Sequence, residues 1–402
     1  MANILGIVLF ALGIGITIAL HEAGHMLTAR AFGMRVRRYF IGFGPKIVGF
    51  TRGHTEYGLA VLPVGGFCDI AGMTPQDEFL TEEEKPHAMY TKPWWQRIAV
   101  LSGGVAVNLV LGFLILFIVA QTAGLPDPKA DYRPRVGETV CSAAADAAGN
   151  IQPCQGDGPA AAAGVRPGDV ILTLNGEEVP DFTALRDEVL QLPGETVELG
   201  IERDGQARTV EVALDTVLRP NPQGELVEAG SIGLVNQPLD TVRQYGFWEA
   251  WPATWHYSWN MLEATVEGIK QFPAKIPGVV ASIFGAERDE QGPMSVVGAS
   301  RVGGELVEND LWAAFFMMLA TLNFFLALFN LIPLPPFDGG HIAVVIYEKI
   351  RDFFRRLAGK QPAGPADYTK LMPVTYAIAA ALLAVGLVII VADVVNPIRL
   401  FG

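Results

Sequence analysis

The segment LHEAGHM, residues 20–26, puts two histidines and a glutamate at the end of an apolar run that carries no charge from Leu5 to Leu20. On a helix His21 and His25 stand four residues apart and share a face, so both imidazoles can reach one ion. Glu22 lies about 100° further round, close enough to touch a water held by that ion. Hydrolases bind zinc with this spacing: the metal brings the pKa of its water towards about 7, and the glutamate takes the proton. A lone intramembrane histidine ordinarily makes a helix–helix hydrogen bond. That reading does not account for three ionisable groups in five residues, each costly in lipid unless paired or bound to an ion.

A catalytic zinc takes three protein ligands and keeps one position open. The best third candidate is Asp338 in FNLIPLPPFDGGH, residues 329–341. Pro333, Pro335 and Pro336 cannot continue a helix, and they turn the carboxylate back towards the helices before it. An ordinary Asp-Gly turn is the plainer reading of that segment, but it leaves zinc with two ligands. His341 is the alternative ligand.

The elements that must position these groups are membrane spans. Half of the 402 residues are hydrophobic and only 18% are charged, too apolar a balance for an ordinary soluble protein. A net charge of −13 argues against nucleic acid as a partner. Four stretches meet the roughly 20 apolar residues that a bilayer requires: Asn3 to Ala29, Ile98 to Ala120, Leu311 to Ile332 and Tyr376 to Ala392. The first lacks a basic leader region and a small-residue cleavage site before the histidines, so it reads as a retained span. Basic residues collect in two connections, Arg30 to Arg52 and Lys349 to Lys360, which predicts that these are cytoplasmic and that the acidic segment from about Gln121 to Asp310 is extracytoplasmic.

Within that segment, PAAAAGVRPGDVILTLNGEEVPDFTALRDEV reads as a strand closed by an Asn-Gly turn and then a capped helix. TVELGIERDGQARTVEVAL follows as a hairpin over Asp204-Gly205. The order resembles a PDZ domain, with Gly164, Gly168-Asp169 and Asn175-Gly176 at the positions of that family's glycine-containing pattern. The insertion VCSAAADAAGNIQPCQGDGPA interrupts the usual peptide-binding edge, so a spacer or size filter is as good a role as peptide capture by strand addition. Cys141 and Cys154 fall in that insertion; they are either bridged, if the compartment is oxidising, or two unpaired thiols. Aromatic residues with helical spacing from Gly246 to Ile269 predict a helix lying in the membrane interface.

Taken with these elements, HEAGH at 21–25, NLIPLPPFDGG at 330–340 and LPVGGFCDIAGM at 62–73 resemble the bacterial site-2 proteases. These are membrane-embedded zinc metalloproteases of regulated intramembrane proteolysis, here in their PDZ-containing branch. Phe337 stands where that family usually has leucine. The resemblance implies a multi-pass α-helical membrane protein with about four transmembrane helices, a membrane-associated β segment between Tyr39 and Phe67 that dips into the bilayer and offers an edge strand, and an inserted PDZ-like α/β domain. It implies four regions: 1–121, spans one and two with HExxH and the β loop; 122–237, the extracytoplasmic PDZ-like domain; 238–310, an extracytoplasmic amphipathic linker; and 311–402, spans three and four. It further implies that His21, His25 and Asp338 hold Zn2+ towards the cytoplasmic side, with Glu22 as base and Asn330 contacting substrate. The expected substrates are transmembrane segments of single-span proteins such as pre-trimmed anti-sigma factors, or a membrane-bound precursor under maturation. The competing reading is a zinc-binding scaffold or metal-handling membrane protein without proteolysis; a glutamate beside a three-ligand site speaks against it.

Overall fold

The structure is a computed structural model that describes residues 2–146, 152–220, 226–237, 241–289 and 292–400. In chain order, helix α1 (Ala2–Ala31), strands β1 (Val36–Arg52) and β2 (Thr55–Ile70), and helices α2 (Trp94–Leu101) and α3 (Gly103–Thr122) come first. A separate unit, Pro126–Arg243, contains α4 (Pro159–Ala162) and α5 (Phe182–Leu190). After it come α6 (Phe247–Ile283), α7 (Val296–Glu308), α8 (Trp312–Asn330), α9 (Asp338–Leu357) and α10 (Met372–Val395). Among the described residues α1, α3, α8 and α10 are the four helices long and apolar enough to cross a membrane. The protein is therefore a multi-pass membrane protein with small antiparallel sheets and an inserted β-rich unit.

Lipid is as apolar as a helix surface, so spans associate through close packing rather than hydrophobic burial. Here α1 makes two such contacts through glycine. A Cβ on Gly103 would lie 2.6 Å from the Gly24 carbonyl oxygen and 2.7 Å from Thr28 Oγ1, and one on Gly6 would lie 2.8 Å from the Gly304 Cα. The first contact marks a departure from the sequence-based expectation: the run Ile98–Ala120, taken as one span, breaks at Ser102 between α2 and α3, where α3 comes up against α1. Phe10, Ile14, Val302, Leu306, Phe315 and Leu319 fill the space between α1, α7 and α8.

Helix α6 continues past Ile269 to Ile283 in spite of Pro273 and Pro277. Interior prolines cost a helix about 3 kcal/mol, and the packing of Phe272, Ile276, Val279 and Ile283 on Val385, Val388, Ile389 and Ala392 of α10 offsets this. Trp248, Trp255 and Trp259 on its first half are exposed. Helix α9, which reads as part of a basic loop, is a 20-residue amphipathic helix with Ile346, Ile350, Phe353, Phe354 and Leu357 exposed.

Strands β1 and β2 fold back on themselves. Residues 38–41 pair with 66–69 on one side and 56–59 on the other, and 46–52 pair with 55–60. The bend falls at Gly42 and Gly44, both with positive φ, a backbone conformation that glycine adopts at no steric cost. The result is a small sheet with strand 66–70 at one edge and strand 46–52 at the other.

In the unit Pro126–Arg243, a four-stranded antiparallel sheet runs in the order 177–178, 170–174, 196–203, 206–213. Asn175-Gly176 and Asp204-Gly205 close its hairpins, all four residues with positive φ, as two-residue turns between twisted strands require. Asp181 caps α5 by accepting from the Ala184 N–H. Leu174, Leu185, Leu199, Ile201 and Val212 form the core. Cys141 and Cys154 form a disulfide; the insertion's residues 147–151 lie outside the described residues.

Asp169, in the turn leading into this sheet, is almost wholly buried. It accepts from Arg203 Nε at 2.7 Å, Arg203 Nη2 at 2.6 Å and the Arg166 N–H at 2.8 Å. Burial pushes its pKa up, but the Arg203 and backbone bonds outweigh burial and hold it below the ordinary 3.8. A depressed carboxylate contributes stability above its unfolded pKa and loses it as pH falls through the folded value. Arg203→Gln should therefore make this unit of the full-length protein more sensitive to limited proteolysis at pH 5, and the difference from the parent should fade as pH drops well below 3.8. A difference independent of pH would remove the ion pair from that role.

Candidate active site

His21 and His25 lie on α1, and Asp338 is the first residue of α9. Helix α8 stops at Asn330, and the proline-containing turn after it returns the chain so that α9 begins against α1. Gly340 makes this possible: a Cβ there would sit 2.6–2.7 Å from the backbone of Leu334 and Pro335. Helix α9 is pinned by a buried ion pair, Arg97 Nη1 to Glu348 Oε2 at 2.6 Å, and Glu348 also accepts from the Ala366 N–H.

The three side chains converge to a triangle. His21 Nε2 and His25 Nε2 are 3.2 Å apart, and they lie 3.4 and 3.3 Å from Asp338 Oδ2. Ligands about 2.0–2.1 Å from a tetrahedral zinc are separated by about 3.3 Å, so the triangle is one face of such a tetrahedron. The tautomer is set for it as well. His25 Nδ1 donates to the Val100 carbonyl at 2.8 Å, which leaves the Nε2 lone pair towards the triangle. Among the described residues Asp338 Oδ2 has no hydrogen-bond donor although it is buried, and the three groups are placed to hold a metal ion. His341 does not join them, and its ring stacks on Tyr368 instead.

Two features are not visible from the sequence alone. Gly104 on α3 packs on the imidazoles: a Cβ there would be 2.5 Å from His25 Nε2 and 2.7 Å from His21 Nε2. Four residues on, and therefore on the same helix face, Asn108 is fully buried, and among the described residues neither atom of its amide has a hydrogen-bond partner. The only available signal was the short spacing GGVAVN inside an otherwise apolar span. Asn330 ends α8 with its Nδ2 donating to the Leu326 carbonyl at 2.9 Å.

Glu22 faces the sheet. A Cβ on Gly66 would be 3.1 Å from Glu22 Cγ. Burial, with the Glu22 and Asp69 carboxylates beside it, pushes the Cys68 thiol up to about 12, so it stays protonated. Arg37 holds this strand from behind, donating to Asp69 at 2.8 Å and Asp77 at 2.9 Å.

A zinc triangle with a glutamate next to it, set in a bundle of apolar helices, defines a membrane-embedded metallopeptidase. Residues 9–362 match peptidase family M50, and the chain belongs to that family. It is 44% identical, over the whole of both chains, to the zinc metalloprotease Rip1 of Mycobacterium tuberculosis, and 44% identical to Rip1 of Mycolicibacterium smegmatis over 99% of each. The chloroplastic membrane metalloprotease ARASP of Arabidopsis thaliana is 28% identical over 83% of this chain and 68% of its own. The protein is an intramembrane zinc metalloprotease, which sets aside the scaffold and metal-handling reading.

Two comparisons test the site by metal analysis of the purified full-length protein. Asp338→Ala should lose zinc while His341→Ala keeps it at one equivalent. Gly104→Ala, which touches no metal, should also lower zinc occupancy, because its methyl group enters the space of both ligand nitrogens. Full zinc in Gly104→Ala would show that α3 can move away without cost.

Proposed function

We propose that this protease cuts the transmembrane segments of single-span membrane proteins, with anti-sigma factors already trimmed outside the membrane as the substrate class. The observation that carries the reading is the packing of Glu22 against Gly66, where a Cβ would lie 3.1 Å from Glu22 Cγ: the proposed base lies against the edge strand 66–70. A helix is closed to hydrolysis because its amides are shielded by their own hydrogen bonds, and in lipid an unwound segment must find other partners. An edge strand supplies them, holding the unwound segment by main-chain hydrogen bonds. Gly66 lets this strand lie close against α1, since a Cβ there would be 3.1 Å from both Ile18 and Glu22.

Bound zinc supplies a Lewis acid that brings the pKa of its water to about 7. Glu22 is placed to accept a proton from the attacking water and would return it to the departing amide nitrogen. His21, His25 and Asp338 hold the metal. Asn108 offers a buried amide to the substrate carbonyl, and Asn330 offers its side-chain oxygen from the end of α8.

The basic connections after α1 and within α9 support a cytoplasmic position for the site, and with it an extracytoplasmic position for Pro126–Arg243. The Cys141–Cys154 disulfide suits an oxidising outer compartment. The order of strand, helix and hairpin in that unit supports a PDZ-type domain, and the insertion at its edge favours a size filter over peptide capture.

Glu22→Gln should retain one zinc and the fold while cleavage of a helical reporter falls by at least about 100-fold, the usual scale of general-base loss. Appreciable turnover would remove Glu22 from the role of base. Replacing Pro126–Arg243 by a short Gly/Ser linker should let a substrate with an intact bulky ectodomain be cut, as judged by immunoblot after co-expression. Loss of cleavage for both long and trimmed substrates, with zinc retained, would favour recruitment over filtering.

A further inference from the structure

At the C-terminal end of α1 a cleft of about 690 Å³ is lined by Arg30, Arg35, Arg52, His54 and His87, and no carboxylate is among its lining residues. This is unusual in a chain of net charge −13. The neighbouring cations are neutralised: Arg37 by Asp69 and Asp77, Arg38 by Asp69, Lys46 by Glu56 and Arg97 by Glu348. Among the described residues those of the cleft are not, apart from one distant contact of Arg35. Arg30 donates to neutral oxygens, Thr55 Oγ1 at 2.8 Å and Tyr57 Oη at 2.6 Å. For Arg35 the ion-pair partner is Glu83, 3.8 Å away with its side chain 85% exposed, a solvated contact of little strength. His87 Nδ1 donates to the Gly33 carbonyl at 2.8 Å, which fixes its tautomer and leaves Nε2 as its second nitrogen.

The height of the cleft follows from the helix. Thirty residues of α1 at 1.5 Å each make about 45 Å, the thickness of a bilayer including its headgroups, so Arg30 stands at headgroup level. Strand 46–52 runs into the cleft. Along it Val48 and Phe50 share a face with Arg52, because side chains alternate, and both are more than half exposed. An apolar row leading to a cluster of guanidinium groups matches an acyl chain leading to a phosphate, which arginine binds bidentately.

We propose that this cleft binds a phosphate group, presented as the headgroup of an anionic phospholipid in the leaflet where α1 ends. The inference goes beyond the proteolytic reading, and its readout is binding, so neither outcome depends on cleavage. The test is calorimetric titration of the full-length zinc-loaded protein in detergent with short-chain phosphatidylglycerol, short-chain phosphatidylcholine and inorganic phosphate. Phosphatidylglycerol should bind at one equivalent and phosphatidylcholine at least tenfold more weakly. Arg35→Gln/Arg52→Gln should weaken phosphatidylglycerol binding at least tenfold. Arg52→Gln/His54→Gln, confined to the exposed hairpin end, should weaken it as well, which guards against misfolding of the first variant. Arg355→Gln/Arg356→Gln removes the same charge from α9 and should change it less than twofold. Inorganic phosphate that binds as tightly as the lipid and competes with it would keep the site and make free phosphate its ligand. Equal losses in the cleft and α9 variants, or equal binding of the two lipids, would overturn the proposal.

Discussion

Three lone pairs meeting inside apolar helices set the terms for the rest of the molecule. His21 Nε2, His25 Nε2 and Asp338 Oδ2 lie 3.2–3.4 Å from one another, where dipoles and charge of one sign repel strongly in a low dielectric. A metal ion between them would turn that repulsion into attraction for all three groups at once. A zinc ion held there would serve structure as well as chemistry, joining the start of α9 to the middle of the bundle. The surrounding contacts keep the triangle at that size: Val100 fixes one imidazole, Gly104 lets α3 close over both, and Arg97 with Glu348 keeps α9 from withdrawing its aspartate.

Such a site needs helices closer together than ordinary side chains permit, and α1 meets this with glycine on two flanks, Gly24 against Gly103 and Gly6 against Gly304. The same closeness excludes water from polar groups deeper in the bundle. Asn323 donates to the Leu319 carbonyl at 2.8 Å and to Thr17 at 3.3 Å, while its own oxygen and the whole Asn108 amide go without partners. A buried unpaired polar group costs about 1–3 kcal/mol. Asn323 reaches Thr17, one turn before His21, and Asn108 stands one turn after Gly104, so both amides border the candidate metal site.

The parts of this arrangement that rest on local periodicity were legible in the sequence. His21 and His25 share a face because four residues nearly complete a helical turn, the spans follow from apolar length, and Asn175-Gly176 and Asp204-Gly205 announce their hairpins through φ. Asp338 was reachable because the prolines before it cannot remain helical. What depends on the partner surface was not. Gly104 is one small residue in an apolar run until α1 is placed against it, and Asn108 inherits its meaning from Gly104. The doubling back of β1 and β2 arises from pairing on both sides of residues 38–41, which alternation alone does not distinguish from a plain hairpin. Helix α9 was hidden because a Pro-Pro-Phe-Asp-Gly-Gly opening reads as a turn, and its basic residues read as a loop.

The order of α1, β1 and β2 also answers a conflict inherent in hydrolysis within a membrane. Water must reach the metal, yet the bond to be cut belongs to a helix that lipid keeps wound. His25 stands six residues before the end of α1, about 9 Å along the axis, which is shallow enough for water to approach from the interface. Because the sheet follows α1 after only four residues, its edge returns beside Glu22 at that same depth. A substrate segment unwinding there would exchange its helical hydrogen bonds for those of a strand without passing through a state that exposes bare amides to lipid, and it would do so beside the proposed base. With His21 and His25 on the first span and the sheet directly after it, the proposed unwinding surface and the candidate metal site come to one level of the bilayer.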